Sequence, residues 1–292
     1  MLWKLRGEKK SMINTLLLLI IVGLAAGIFG AIFGIGGGMI VTPVLTLLMG
    51  LDIKYAIGAS IISVIATSSG ATVAYLKDDM LNLRVAMFLE IATTIGAIAG
   101  AILTGVLPSA VLYVLFGALL LFSAWNMYRK MRAGKEKTEA IQPDSLSTKL
   151  KLNGSYYDNA VDKKIDYQVS NVPGGFTMML GAGLASGLLG IGSGAFKVIA
   201  MDTIMKMPLK PSSATSNLMM GVTAAASATV YFFNGSIKPE IAAPLALGIL
   251  VGALLGSKIM KHLRARVLRM IFIPVLFYIG LQMFLKGFGV TI

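Results

Sequence analysis

The chain has 292 residues, is 56% hydrophobic and only 13% charged, a composition that excludes a soluble globule, which needs a charged skin. Its net charge of +13 gathers at the ends of apolar runs, where lipid headgroups account for it and no nucleic-acid partner is needed. There is no cysteine and one histidine, His262 in the basic run "KIMKHLRARVLR", so disulfides, thiol chemistry and a metal or other cofactor are not expected.

The N-terminal stretch reads as a retained membrane segment rather than a signal peptide, because its apolar run continues into a glycine cluster with no small-residue cleavage site. Eight apolar segments follow in order, at 13–50, 56–76, 85–106, 109–128, 174–205, 212–233, 240–260 and 267–286. Several reach the roughly 20 residues that a bilayer core requires. The expected fold is therefore an all-α polytopic membrane protein. Between the fourth and fifth segments lies the only extended polar stretch. Its first part has the composition of a flexible linker, and "SYYDNAVDKKIDYQV" is expected to form a small ordered cap.

The chain repeats itself. A shift of 156 residues places Gly34, Ile35, Gly36 and Gly38 on Gly190, Ile191, Gly192 and Gly194. It also places Lys54 on Lys210, Ser60 on Ser216, Thr67 on Thr223 and Tyr75 on Tyr231. Two homologous four-segment halves are expected, residues 1–128 and 173–292, joined by a cytoplasmic linker at 129–172. Duplicated halves are a habit of secondary transporters. The linker carries Arg129, Lys130, Arg132, Lys135 and Lys137, which the charge rule puts inside the cell. If the fifth segment returns to its own side, the basic run from Lys258 to Arg269 is also inside. The basic N-terminus then makes the longer first segment cross. This favours inverted halves, a cytoplasmic N-terminus and an outside C-terminus.

The first and fifth segments contain "IFGIGGGMIVTPVL" at 32–45 and "LLGIGSGAFKVIAM" at 188–201. Glycine costs a helix about 1 kcal/mol and proline about 3. Unwound backbone is tolerated in hydrocarbon only where protein or a water-filled cavity satisfies it. The clusters therefore predict broken or re-entrant helices, with new half-helices starting near Met39 and Ala195. Their free N–H groups suit a small anion. The glycines of "IGAIAGA" at 95–101 and "VGALLGS" at 251–257 are instead read as close-packing positions.

Lys197, in the first turn after the second break, needs an anionic partner at this depth, either substrate or Asp202. Candidate substrate contacts are Gly36, Gly37, Gly38 and Met39 at the first break, and Gly192, Ser193, Gly194, Ala195 and Lys197 at the second. Ser60, Ser63 and Thr67, with Thr215, Ser216 and Asn217, add hydroxyl and amide groups on the segments that follow. Glu90 and Asp202 are candidate coupling groups, with Arg84 an alternative partner for Glu90 near the interface.

These two motifs, the four-plus-four layout and the central "YYD", "KKIDYQV" and "GG" elements resemble the TauE/SafE sulfite exporter family over about residues 28–286. The second motif departs from the glycine triplet at Ser193 and has Ile199 where Pro43 would map. The resemblance implies transport of small sulfur-containing anions, such as sulfite, sulfoacetate or other organosulfonates, across a prokaryotic plasma membrane. The family includes exporters and uptake permeases, so the resemblance leaves direction open; the expectation is export, coupled to a proton or other ion gradient, with no enzymatic activity. There is no P-loop for built-in ATP-driven transport. Two other classes remain open from residues alone: a passive anion channel, and an intramembrane hydrolase using Ser193 and Lys197 as nucleophile and base.

Overall fold

The computed structural model describes residues 2–33, 36–76, 80–132, 144–158, 163–260 and 265–290. Helix α1 (Leu2–Phe33) is followed by a short helix α2 (Gly38–Pro43) that runs directly into a π-helical turn at Val44–Leu48. Helices α3 (Ile53–Leu76), α4 (Leu83–Val106) and α5 (Ser109–Arg132) complete the first half. The second half repeats the order: α7 (Val172–Leu189), α8 (Gly194–Ile199) with its π turn at Ala200–Ile204, α9 (Leu209–Phe233), α10 (Pro239–Met260) and α11 (Ala265–Gly287).

Among the described residues, six stretches are long and apolar enough to cross a membrane: Asn14–Ile32, Ile53–Val73, Leu83–Val106, Ser109–Arg129, Val172–Leu189 and Pro239–Lys258. Helix α9 has the length, about 37 Å for its 25 residues. Its polarity comes from a buried face that carries Ser212, Thr215, Ser216, Asn217, Thr223 and Ser227. The molecule is an all-α polytopic membrane protein.

The helix pairing is reciprocal under the 156-residue shift. Helix α1 packs on α10, and their counterparts α7 and α4 pack on each other. Helix α3 packs on α10 and α4 on α9, while α3 and α9 meet each other, as do α5 and α11. Each half thus lays its first helix against the third helix of the other.

Small residues make that exchange possible. A Cβ added at Gly96 or Gly100 would strike the Leu180 or Leu184 carbonyl oxygen of α7. At the shifted positions, a Cβ at Gly252 or Gly256 would strike the Leu24 or Ile28 carbonyl oxygen of α1. Backbones that come this close exclude larger side chains, and the contact is one of dispersion packing rather than apolar burial.

The fifth segment is a hairpin. The Ser170 amide, just before α7, donates to the Met205 carbonyl, just after the π turn, at 3.1 Å. The chain therefore returns to the level from which it set out. In the first half, Met49 and Leu51 pack in one apolar cluster with Leu19 and Val22, and α1 runs on past that cluster to Leu2. The α3–α4 turn meets the start of α9, where the Asn82 amide donates to Thr215 Oγ1 at 3.1 Å. The start of α3 meets the end of α9, where Gly58 abuts the Ser236 carbonyl. Helices α3 and α9 are therefore antiparallel.

Residues 133–143 and 159–162 of the polar stretch lie outside the described residues. The rest is an ordered cap, made of α6 (Ser145–Lys149) and an antiparallel hairpin of β1 (Gly154–Asp158) and β2 (Lys163–Tyr167), with Tyr156 opposite Ile165. Asn82 Nδ2 docks the cap by donating to Leu152 O at 2.8 Å and Tyr167 Oη at 2.9 Å. Arg84 is spent here too, donating to the Lys151 carbonyl. Asp144 caps α6 through the Ser147 amide and accepts from the Val172 amide at the start of α7. Its slight desolvation pushes the carboxyl upward, but the Val172 and Ser147 hydrogen bonds outweigh that and hold it below the ordinary carboxylate range.

Two outcomes follow. Gly96→Leu should lower the thermal unfolding midpoint in detergent by roughly 3–10 °C through overpacking, while Gly181→Leu, which faces open space, should leave it unchanged. Because the Asp144 carboxyl is lowered, its contribution is complete at neutral pH and fades as pH falls through the folded-state value. Acidification and Asp144→Ala should both speed hydrogen exchange at the Ser147 and Val172 amides.

Candidate functional site

Both helix breaks lie at the centre of the bundle, back to back. Helix α7 ends on Gly190 in the left-handed region (φ +66°), and Gly192 (φ +72°) and Ser193 (φ +47°) keep the chain there before α8 begins. In the first break Gly36 has the matching φ of +72°. A side chain at Gly38 would fall 2.5 Å from both the Gly190 carbonyl and Ser60 Oγ. At Gly36 it would crowd Val64 and approach the Ile191 carbonyl. One break thus covers the other, and glycine is required because backbone meets backbone.

The hydroxyls of α3 and α9 satisfy the unwound backbone. Ser60 Oγ donates to Gly190 O at 2.6 Å, across the two halves. The Gly37 amide donates to Thr67 Oγ1 at 3.2 Å, and Ser216 Oγ donates to Gly194 O at 3.2 Å. Ser68 Oγ donates to the Asn217 carbonyl. Three of the sequence candidates sit elsewhere in this scheme. Ser63 Oγ donates to Ala59 O of its own helix, Met39 is buried in the apolar core with Ile57 and Ile61, and Thr215 serves the α3–α4 turn. Ala195 lies in the first turn of α8.

Lys197 is sealed from solvent, with a relative exposure of 0%. Its Nζ donates to Thr223 Oγ1 on α9. That oxygen also lies 2.6 Å from Glu90 Oε1 on α4 and 2.7 Å from the Met219 carbonyl. A threonine has one proton, so it serves either Glu90 or Met219 at a given moment. Thr94 Oγ1 supports Glu90 Oε1 from its own helix at 3.3 Å. The carboxylate that faces Lys197 is therefore Glu90, which belongs to the other half. Asp202 lies half-buried in the π turn and has an interaction of its own.

Several buried acceptors and hydroxyls around the second break have no hydrogen-bond partner among the described residues: Glu90 Oε2, Ser193 Oγ and Asn217 Oδ1. Buried polar atoms are normally paired, and an open valence is available to a polar ligand; Ser186, Thr42, Thr72 and Ser123 also have unpartnered buried hydroxyls among the described residues. Lys197 has three N–H donors and a hydrogen bond to Thr223, which leaves capacity for an anion. Ser193 and Lys197 are not hydrogen-bonded through their side chains, so the nucleophile–base pairing has no support in the geometry. Sequence reading passed over Thr223 as a site residue. Its signal was the alignment of Thr67 with Thr223 in the repeat.

The two halves differ at this place. Under the shift, Lys197 corresponds to Val41 and Glu90 to Ala246, whereas Thr223 corresponds to Thr67. Val41 is fully buried in an apolar cluster with Leu45, Leu245 and Ile249. The pair spans the halves, Lys197 from the second and Glu90 from the first, and the pseudo-symmetric site has Val41 from the first and Ala246 from the second, so both charges are absent there.

Residues 19–283 match the sulfite exporter TauE/SafE family. Among similar proteins, the probable membrane transporter protein YunE of Bacillus subtilis is 26% identical over 92% of this chain and 97% of its own length. A probable membrane transporter protein of Methanocaldococcus jannaschii is 27% identical over 92% of this chain and 95% of its own. YdhB of Bacillus subtilis, also a probable membrane transporter protein, is 25% identical over 83% and 89%. No solved structure matches the chain.

The bridge has a measurable signature. Thr223→Val keeps the shape but leaves a buried ammonium and carboxylate without their shared hydroxyl, and should cost about 1–3 kcal/mol in unfolding free energy. Thr229→Val removes an exposed hydroxyl bonded only to its own helix and should change little.

Proposed function

The chain belongs to the sulfite exporter TauE/SafE family and is a multi-span membrane transporter, and we propose that it exports small sulfur-containing anions through a site at Lys197. Sulfite, sulfoacetate and other organosulfonates share the needed chemistry: a compact negative head with several strong acceptor oxygens. The observation that carries this reading is the fully buried lysine with open valences around it. A buried ammonium costs several kcal/mol unless an anion compensates it. Glu90 does so in this conformation through Thr223, and a substrate oxyanion does so during transport.

The remaining candidates contribute in distinct ways. Ser193 and Asn217 supply a hydroxyl and an amide at the anion's flank, and Gly192 and Gly194 let its oxygens approach the backbone. Gly36, Gly37 and Gly38, with Ser60, Thr67 and Ser216, hold the two breaks together, so they fix the site's floor rather than reach the anion. Substrate access requires the helices around the two breaks to move relative to one another.

The halves are inverted about the middle of the membrane. What supports this is the antiparallel pairing of the counterpart helices α3 and α9, together with the return of the fifth segment to Ser170. The charge rule then puts the 129–172 segment in the cytoplasm of a prokaryotic cell. Because Met49 and Leu51 pack beside Leu19 and Val22, the three crossings α3, α4 and α5 separate the start of α1 from that segment, and the N-terminus is on the opposite side rather than in the cytoplasm with it.

Flux of labelled sulfite, sulfoacetate and taurine into proteoliposomes tests the reading. Wild type should give saturable flux of at least one sulfur anion. Lys197→Met should reduce it by about 10–150-fold, the loss of one charge-assisted contact. Lys238→Ala, whose ammonium lies over the Tyr55 ring, should transport normally. Flux that never saturates would identify a channel.

A further inference from the structure

We infer that Glu90 is the proton carrier of this transporter, and that it exchanges places with the substrate anion at Lys197, so that one proton moves in the same direction as each monoanion. The inference rests on the site proposed above and adds to it the coupling chemistry.

The argument begins from charge. Lys197 is 0% and Glu90 9% exposed, and the structure joins them through the single hydroxyl of Thr223. A buried cluster is tolerable when its net charge is zero and costly otherwise. Four loading states can be written. Lysine charged with Glu90 ionised and no anion is neutral. Lysine charged with Glu90 protonated and one monoanion bound is also neutral. The anion beside an ionised Glu90 leaves one uncompensated negative charge. A protonated Glu90 without anion leaves one uncompensated positive charge. The two neutral states are related by the joint addition of a proton and an anion. Restricting movement across the membrane to these states gives one-to-one symport.

The atoms needed are in place. Glu90 uses Oε1 toward Thr223 and Thr94, and its buried Oε2 has no partner among the described residues. When an anion takes the lysine, a proton from the aqueous side adds to the released carboxylate, and no other bond is made or broken. Thr223 then turns its hydroxyl proton to the Met219 carbonyl, 2.7 Å away, and remains an acceptor for Lys197. The exchange therefore leaves the lysine hydrogen-bonded throughout.

Among the described residues, the neighbours of Glu90 offer no competing charge. Helix α7, packed on α4, carries no titratable residue along its length. Helix α9 contributes Thr223, and its titratable residues Lys210 and Tyr231 lie two turns or more away. Tyr231 is bound to Thr104 and Gly187. From α8 comes Lys197 itself. At the pseudo-symmetric site, built from Val41 of the first half and Ala246 of the second, both charges are missing, which is what a working pair predicts, since each alone would be an uncompensated buried charge.

Symport has a directional consequence. An inward proton gradient favours anion uptake, so export runs when the internal excess of anion outweighs that gradient. Each exported monoanion then carries a proton out.

The test uses the full chain in proteoliposomes with a lumenal pH-sensitive dye. Isethionate, a sulfonate that stays a monoanion over the working range, runs in parallel with sulfite. With wild type, an inward anion gradient should acidify the lumen in step with anion uptake, and clamping the membrane voltage should not alter the rate for isethionate. Apparent anion affinity should fall about tenfold per pH unit above the range where Glu90 loses its proton. Glu90→Gln, fixed in the neutral form, should still exchange labelled for unlabelled anion, with a flat pH profile and no proton movement. The double variant Glu90→Ala/Lys197→Val reproduces the apolar pair of the pseudo-symmetric site, Val41 and Ala246, and should fold yet bind no anion. Wild-type anion flux without protons, or a Glu90→Gln protein that still carries them, overturns the symport inference and leaves the transporter intact. If the Glu90→Gln protein does not fold, the wild-type proton-to-anion ratio decides alone. Absence of flux for every anion, with wild type correctly folded, overturns the substrate reading and this inference with it.

Discussion

A positive charge sealed inside an apolar bundle has to be compensated, and the centre of this molecule is arranged around that requirement. Lys197 reaches its counter-charge through Thr223, and the three groups come from α8, α9 and α4. None of these positions works unless the chain breaks between α7 and α8, because an unbroken helix would carry residue 197 beyond the middle of the bundle. The break in turn exposes backbone polar groups that hydrocarbon cannot satisfy. Ser60 and Ser216 each donate to a carbonyl at the edge of the break, so the hydroxyl-rich helices α3 and α9 are a consequence of it.

The exchange of first helices between the halves has the same root. Glu90 sits on the third helix of one half and Lys197 on the re-entrant hairpin of the other. They meet because α4 packs on α7 and α9, closely enough that Gly183 and Gly187 place α7 backbone against the Thr93 and Ala97 carbonyls. That contact lies one turn from Glu90. The packing glycines therefore set the distance across which the charge pair communicates, although they touch no ligand. In a membrane, where apolar burial gives no advantage to helix association, close backbone contact is the available source of cohesion.

Much of this was legible in the sequence. The duplication, the two breaks and the packing glycines all rest on residues whose cost in a helix makes them informative, and the structure places Gly96, Gly100, Gly252 and Gly256 at backbone contacts. Lys197 and Glu90 each stood out as expensive at membrane depth, but nothing in their spacing of more than a hundred residues joined them. Asp202 was nearer in sequence and drew the pairing instead. The link depended on α4 crossing to the other half, a tertiary fact with no local pattern. Hydroxyl clusters were similarly ambiguous. Ser63 and Thr215 have the composition of a lining, yet one bonds its own helix and the other a distant turn. A serine's partner is settled by a few tenths of an ångström that periodicity does not encode.

The unequal halves carry a last consequence. A symmetric duplication would have offered two lysines and two carboxylates around one axis, with four charges to balance in a small apolar volume. Here one of the two related sites has the pair, with one member from each half, and the other has Val41 and Ala246 in the same places, with the intervening threonine kept in both. Thr67, at the apolar site, accepts from the Gly37 amide instead of from an ammonium, so it holds the break closed. The same residue type at equivalent positions thus does two jobs: in one half it fixes the scaffold, and in the other it connects the charges. Each half contributes one member of the charged pair, so the charge that has to be balanced lies at one of the two related sites, where the halves meet. A duplicated fold with a single charged locus has one buried ammonium to compensate, and Glu90 meets that requirement through one hydroxyl.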